Sequence, residues 1–343
     1  MIIILILMLT VTASATVINV PAQYPTIQGA LNSVNEHDTI LVSDGLFFEN
    51  LKFPPINLTL ASQFLMDGDT SHINNTIING RRYTNRDSAS VIFMSGGQDS
   101  STCIVGFTLT GGQGTLDSTY HPGYDRYFGG GCALYQSAPL IRSNHINSNK
   151  ADYGSGIYLG EGTSAIIRDN EFTTDSSLIA NGTIKGEYCS AQITGNYIHD
   201  NYAYAAAGVY FIHAGTVVIA NNIIDNNRAF TWTAGAFETG DSIIISNNII
   251  SDQTILDPSN GAGSGILITN AHVIVENNQF LHNQGGYSFA ALCLLGSCSG
   301  IISGNLFQDN YSLHAAAINI WQGTITIMNN QIINNYDAIG EAI

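Results

Sequence analysis

Between Pro139 and the C-terminus, apolar and amide residues recur in fixed columns. The opening Asn of each copy serves as a marker: Asn144, Asn170, Asn196, Asn222, Asn248, Asn278, Asn305 and Asn330. The first five markers are 26 residues apart, and the last three steps are 30, 27 and 25. Three residues before the markers stand Ile141, Ile167, Ile193, Ile219, Ile245, Val275, Ile302 and Ile327. Two residues after them stand Ile146, Phe172, Ile198, Ile224, Ile250, Phe280, Phe307 and Ile332. Five after come Asn149, Asp175, Asn201, Asn227, Gln253, Asn283, Asn310 and Asn335. Two columns are apolar and one is amide or acid, at a period that marks stacked structural repeats.

The apolar columns sit in short Ile- and Val-rich segments with alternating polarity, the signature of strands. Ala165-Ile166-Ile167 and Val217-Val218-Ile219 are examples. The Asn columns suit bends, where Asn tolerates positive φ, and equal amides stacked coil on coil form ladders. A further strand opens about twelve residues after each marker, as in Gly156-Ile157-Tyr158-Leu159, Gly208-Val209-Tyr210-Phe211, Gly235-Ala236-Phe237-Glu238 and Gly265-Ile266-Leu267-Ile268. No helical segment is long enough for a leucine-rich or tetratricopeptide unit. The pattern predicts an all-β parallel β-helix with one coil per repeat.

The Asn-x-Ile-x-x-Asn and Gly-x-Gly-Ile-Tyr elements resemble those of the right-handed parallel β-helix repeat proteins of the pectin-lyase-like superfamily, of the secreted bacterial type. Residues 139–343 resemble its repeats and 17–110 its entry region. The resemblance implies a right-handed solenoid. It implies no single activity, because the superfamily holds lyases, hydrolases, esterases and adhesins.

The start of the chain fits export. Residues 2–11 are apolar, and Ala13-Ser14-Ala15 supplies a small-x-small cleavage site, so 1–15 read as a signal peptide. That run is too short to span a bilayer, and the mature chain is expected to be secreted or at the cell surface with no transmembrane span. Residues 16–343 read as one domain, with a cap and irregular first coils over 16–138 and regular repeats over 139–343. Ile27, Ala30, Leu31 and Val34 follow helical spacing and predict a short helix that plugs the open N-terminal end. No capping segment follows the last repeat, so a continuation beyond Ile343 is an expectation.

Charge narrows the partners. Ten Lys and Arg against 26 Asp and Glu give a net charge of −16, which argues against nucleic acid and polyuronate. Apolar residues make up 45% of the chain, ample for a core despite the many Asn and Gly. Five cysteines leave one unpaired, and Cys293 with Cys298 is the local disulfide candidate. No metal-binding spacing occurs and no cofactor is expected; calcium enters only with a lyase.

Candidate chemistry lies on the outward positions and in two insertions, near 115–128 and 254–261, since projecting loops on a solenoid carry function. Alternation turns Tyr158, Ile184, Tyr210, Phe237 and Leu267 outward. Tyr158, Tyr210 and Phe237 then form an aromatic strip for carbohydrate, whose C–H faces are apolar. Glu161, Glu187 and His213 each lie seventeen residues after a marker. They are the catalytic candidates of an enzyme reading, because neighbouring carboxylates can act on a glycosidic bond. Arg142 and Arg168 share a column without the clustered Asp of a calcium-dependent lyase. The preferred function is a non-catalytic protein that binds glycans or a surface protein; the alternative is a diverged polysaccharide lyase or glycoside hydrolase.

Overall fold

A computed structural model describes residues 14–117, 125–257, 263–287 and 289–339. Among these, three parallel sheets of 12, 11 and 10 strands run the length of the molecule, giving about 12 coils. The two apolar columns fall where the repeat placed them. In the first sheet Ile141, Ile167, Ile193, Ile219 and Ile245 pair in register coil to coil. In the second sheet Ile146, Phe172, Ile198, Ile224 and Ile250 do the same. All are fully buried in one continuous core. Stacking equal side chains keeps the core filled at every level, and Phe280 over Phe307 does so with parallel rings 4.9 Å apart.

The marker asparagines form a buried ladder at the corner between the first and second sheets. Asn196 donates from its backbone N and its Nδ2 to Asn222 Oδ1, at 2.9 and 3.0 Å, and Asn222 repeats this to Asn248. A second ladder follows the second sheet, where Asn201 donates to Asn227 Oδ1. The bend itself is made one residue earlier than expected. Positive φ occurs at Asp169, Asn221, Asn247 and Asn277, each just before a marker. The preceding residue therefore absorbs the left-handed turn, and the marker side chain is free to point inward and satisfy buried backbone groups.

At the N-terminal end the predicted helix spans Ile27–Leu31, with Thr26 accepting from Gly29 N and Glu49 accepting from the N–H groups of Ile27 and Gln28. Ile27, Ala30 and Leu31 are buried in the same core as the coils. The first insertion begins as an antiparallel ribbon, Gly114–Leu116 on Tyr127–Phe128, stitched to Ser88–Ala89. Residues 118–124 within it, 258–262 of the second insertion and 1–13 of the signal segment lie outside the described residues. No helix among the described residues is long and apolar enough to cross a membrane.

The third sheet departs from the expected register. The outward column is Tyr158, Lys185, Tyr210, Ala236, Leu267 and Cys293. Two local events cause the difference. The coil after Asn170 carries a register shift between Ser177 and Asn181, which moves Ile184 inward and Lys185 outward. In the next coil but one, Gly235 rather than Ala236 pairs with Val209, so Phe237 faces the core. There its ring stacks on Phe211, 6.0 Å away.

Candidate functional site

The outward face of the third sheet joins a polar cluster to an apolar strip. Lys185 Nζ is 2.9 Å from Glu187 Oε1, and the lysine is only 1% exposed. The ammonium also lies 3.8 Å from the centroid of the Tyr210 ring, a cation–π contact. Tyr158 donates to Glu187 Oε2 at 3.4 Å, and Tyr210 donates to Glu238 Oε1 at 2.6 Å. Burial pushes the Lys185 pKa down to about 8, and the Glu187 carboxylate works against that shift. Burial, with the bond to Glu238, also raises the Tyr210 hydroxyl above its ordinary value.

The expected aromatic strip is corrected by this geometry. Tyr158 and Tyr210 do point away from the core, but they are 0% and 6% exposed. Tyr158 is covered by Phe128 of the insertion ribbon, whose ring centroid is 4.6 Å away. Phe237 is 1% exposed and belongs to the core. None of the three offers an open stacking face. The expected Glu161, Glu187, His213 column is corrected too. The register shift after Ser177 moves Glu187 one place, so that it pairs with Ile212, and the turn column instead carries Tyr188 beside His213. Glu161 sits in an exposed turn. His213 stacks on Tyr188 at 4.9 Å and shares a hydrogen bond with Thr239.

A different aromatic surface stands further along the same face. Tyr210, Ala236, Leu267, Phe289 and Cys293 form one apolar cluster, with Trp232 and Leu295 packed against it. The cluster opens into a pocket of about 210 Å3 lined by Trp232, Leu267, Phe289, Cys293, Leu295, Asn319 and Trp321. Trp321 is 74% exposed. These are the only two tryptophans of the chain. Neither belongs to a repeat column, so periodicity gave no reason to single them out; their scarcity and their polar neighbours were the available signal. Cys293 lines this outer pocket from the third sheet while Cys298 points into the core from the first, so the two thiols lie on opposite sides of the coil wall and are not bonded.

A second groove, of about 430 Å3, lies at the opposite corner between Phe64, Thr70 and Ile73 and the outer side of the second sheet. Glu171 bridges His145 and His199 there, at 3.1 Å to each. Arg142 and Arg168 share a register on the first sheet as expected, and Arg168 is 3.3 Å from Asp169. Among the described residues, no three His, Cys, Asp or Glu side chains converge to hold a metal ion.

The solved structures similar to this chain include an alginate lyase from Paenibacillus sp. str. FPU-7, at 15% identity and a TM-score of 0.43, covering 92% of this chain and 95% of the lyase. A family 28 exopolygalacturonase of Yersinia enterocolitica matches at 11% identity and TM-score 0.33, over 94% and 78% of the two chains. A hyperthermoactive exopolygalacturonase of Thermotoga maritima matches at 13% and 0.28, over 88% and 83%. No curated protein matches the sequence. The profile of the family described as "right handed beta helix region" matches residues 131–286 and 229–341, more than half of the chain. The chain therefore belongs to that family of right-handed β-helices.

Proposed function

We propose that this protein is a secreted or cell-surface β-helix that binds glycan chains along the outer face of its third sheet without cleaving them. The observation that carries the reading is the pocket between Trp232 and Trp321, where the otherwise buried apolar cluster of the third sheet's outer face opens to solvent beside Leu295. Flat indole faces over an apolar floor suit the C–H faces of sugar rings, and Asn319 supplies a polar contact at the rim. A strip parallel to the solenoid axis suits a polymer more than a small molecule. The apolar run at 2–11 with its Ala13-Ser14-Ala15 site supports export.

The test is a panel of neutral, amino and acidic polysaccharides, scored for retention and for released sugar, with and without calcium. Retention without product, lost on Trp232→Ala and Trp321→Ala, is the expected result. Retention that survives both substitutions would remove the pocket from the argument.

One observation favours a hydrolase as the second reading. Glu187, Ile212 and Glu238 occupy one outward column, which sets the two carboxylates two coils apart. At the strand spacing this is roughly 10 Å, near the separation used by inverting glycosidases. New reducing ends, abolished by Glu187→Gln or Glu238→Gln, would establish this reading in place of simple binding.

A further inference from the structure

We infer that the polar end of the strip is a subsite for a protonated amino sugar, with Glu238 as the carboxylate that receives its ammonium group; this rests on the glycan-binding reading above. Tyr210 points outward, and its hydroxyl holds the Glu238 carboxylate at 2.6 Å, so that carboxylate stands over the same face as the strip. Tyr210 is itself a member of the apolar cluster that floors the tryptophan pocket. Ala236, Leu267 and Cys293 are buried beneath, but Glu238 is half-buried at the edge of this face, as are Thr269 and Leu295 in the coils that follow. Glu238, Thr269 and Leu295 follow one another in register, and Trp321 occupies the next coil. The three steps span roughly 14 Å, which leaves room for several sugar rings between the acid and the indole.

The charges around Glu238 decide which sugar fits. Lys185 is paired with Glu187 at 2.9 Å and lies against the face of Tyr210, and its charge reaches Glu238 only through space, without an ion pair. Beyond them, Tyr153 lies in the field of Arg126, Asp152 and Glu187. Lys185, Glu187 and Glu238, joined through Tyr210, carry two carboxylates against one cation. Among the described residues no Lys or Arg lies within ion-pair distance of Glu238, and its hydrogen-bond donor is a neutral hydroxyl. None of the side chains lining the pocket is charged. A uronate chain would bring its own carboxylates to this face and find no available cation. An N-acetylated or neutral chain would offer Glu238 only a neutral hydroxyl or amide N–H, a weaker partner than an ammonium group. A glucosamine-type chain would supply the missing cation through a charge-assisted hydrogen bond and would present it beside aromatic rings. The net charge of −16 would add long-range attraction for such a polymer.

The probes are two oligosaccharides of equal length, β-1,4-linked glucosamine and its fully N-acetylated form, titrated at mildly acidic pH where the free amines are protonated. The unmodified protein is expected to favour the glucosamine oligomer by roughly tenfold or more. Added salt should weaken that binding and leave the acetylated ligand unaffected. Glu238→Gln should bring the ratio of the two affinities toward one, whereas Trp321→Ala should weaken both ligands and keep the ratio. Equal affinity for the two oligomers, independent of salt, would overturn the amino-sugar subsite and leave glycan binding standing. Retention of neither oligomer would overturn the subsite, and failure across the whole polysaccharide panel would overturn the glycan reading with it. The salt test uses the native chain, so the inference does not depend on how well a variant folds.

Discussion

Asp175 occupies a position in the second ladder where the other coils place Asn or Gln. Its Oδ1 accepts from Asn149 N at 2.8 Å, as an amide oxygen would. The other Asn residues of the column donate Nδ2 to the carbonyl 29 residues earlier in the regular coils, as Asn201 does to Phe172 and Asn227 to Ile198. The equivalent carbonyl for Asp175 is that of Ile146, and Oδ2 is buried with no hydrogen-bond partner. Burial holds the carboxyl pKa well above its ordinary value, against the bond from Asn149. A raised folded pKa means that stability from this group is full below the ordinary carboxylate range and is lost as pH rises through the folded value. Asp175→Asn should therefore stabilise the protein by about 1–3 kcal/mol at neutral pH. Thermal melts should show the gap between variant and parent widening from acid to neutral pH; a gap independent of pH would mean that the carboxyl is not the source. Lys185 calls for the opposite operation. Lys185→Met leaves Glu187 buried and unpaired, with an expected cost of about 3–5 kcal/mol. Adding Glu187→Gln should restore much of that loss, and a double variant as unstable as the single one would contradict the pairing.

At the scale of the turn, two Asn-rich positions that look alike in sequence do different work. Asn222 is buried, accepts from Asn196 and donates to Ile193 O and to Asn248. Asn226 has positive φ, is half-buried and reaches Asp200 across the surface. Asn222→Ala would strand several buried backbone and amide groups at once and should cost at least about 3 kcal/mol. Asn226→Ala should cost about 1 kcal/mol or less. Denaturant midpoints of the two variants distinguish the roles, and equal losses would show that the turn, not the ladder, supplies the stability. The columns themselves were legible in the sequence, because identical side chains stacked at one level must recur at one spacing. The division of labour between neighbouring residues was not, because Asn suits both a buried ladder and a left-handed bend.

For the molecule as a whole, the outer strip has a length. The accessible column from Glu238 through Thr269 and Leu295 to Trp321 crosses three coil steps, roughly 14 Å. Oligosaccharide affinity should therefore climb with chain length until the ligand spans that distance and then level off. Calorimetric titration of an oligomer series checks this, and affinity already constant from the shortest member would confine binding to the tryptophan pocket.

The fold was written in the chain itself. A period of about 26 residues, two apolar columns and two amide ladders leave no globular arrangement that buries every copy equally, so a stacked solenoid with a capped N-terminal end follows from the sequence. The site was decided by tertiary structure. One register shift near Ser177 exchanged Ile184 for Lys185 on the outer face, and pairing of Gly235 with Val209 turned Phe237 inward. Because successive strand residues face opposite sides, a slip of one position reverses which side chain is available. The insertion ribbon then covered Tyr158, and the chain between the second and third sheets brought Trp232 to the pocket that Trp321 borders. Those placements depend on contacts between different coils, which no single repeat encodes.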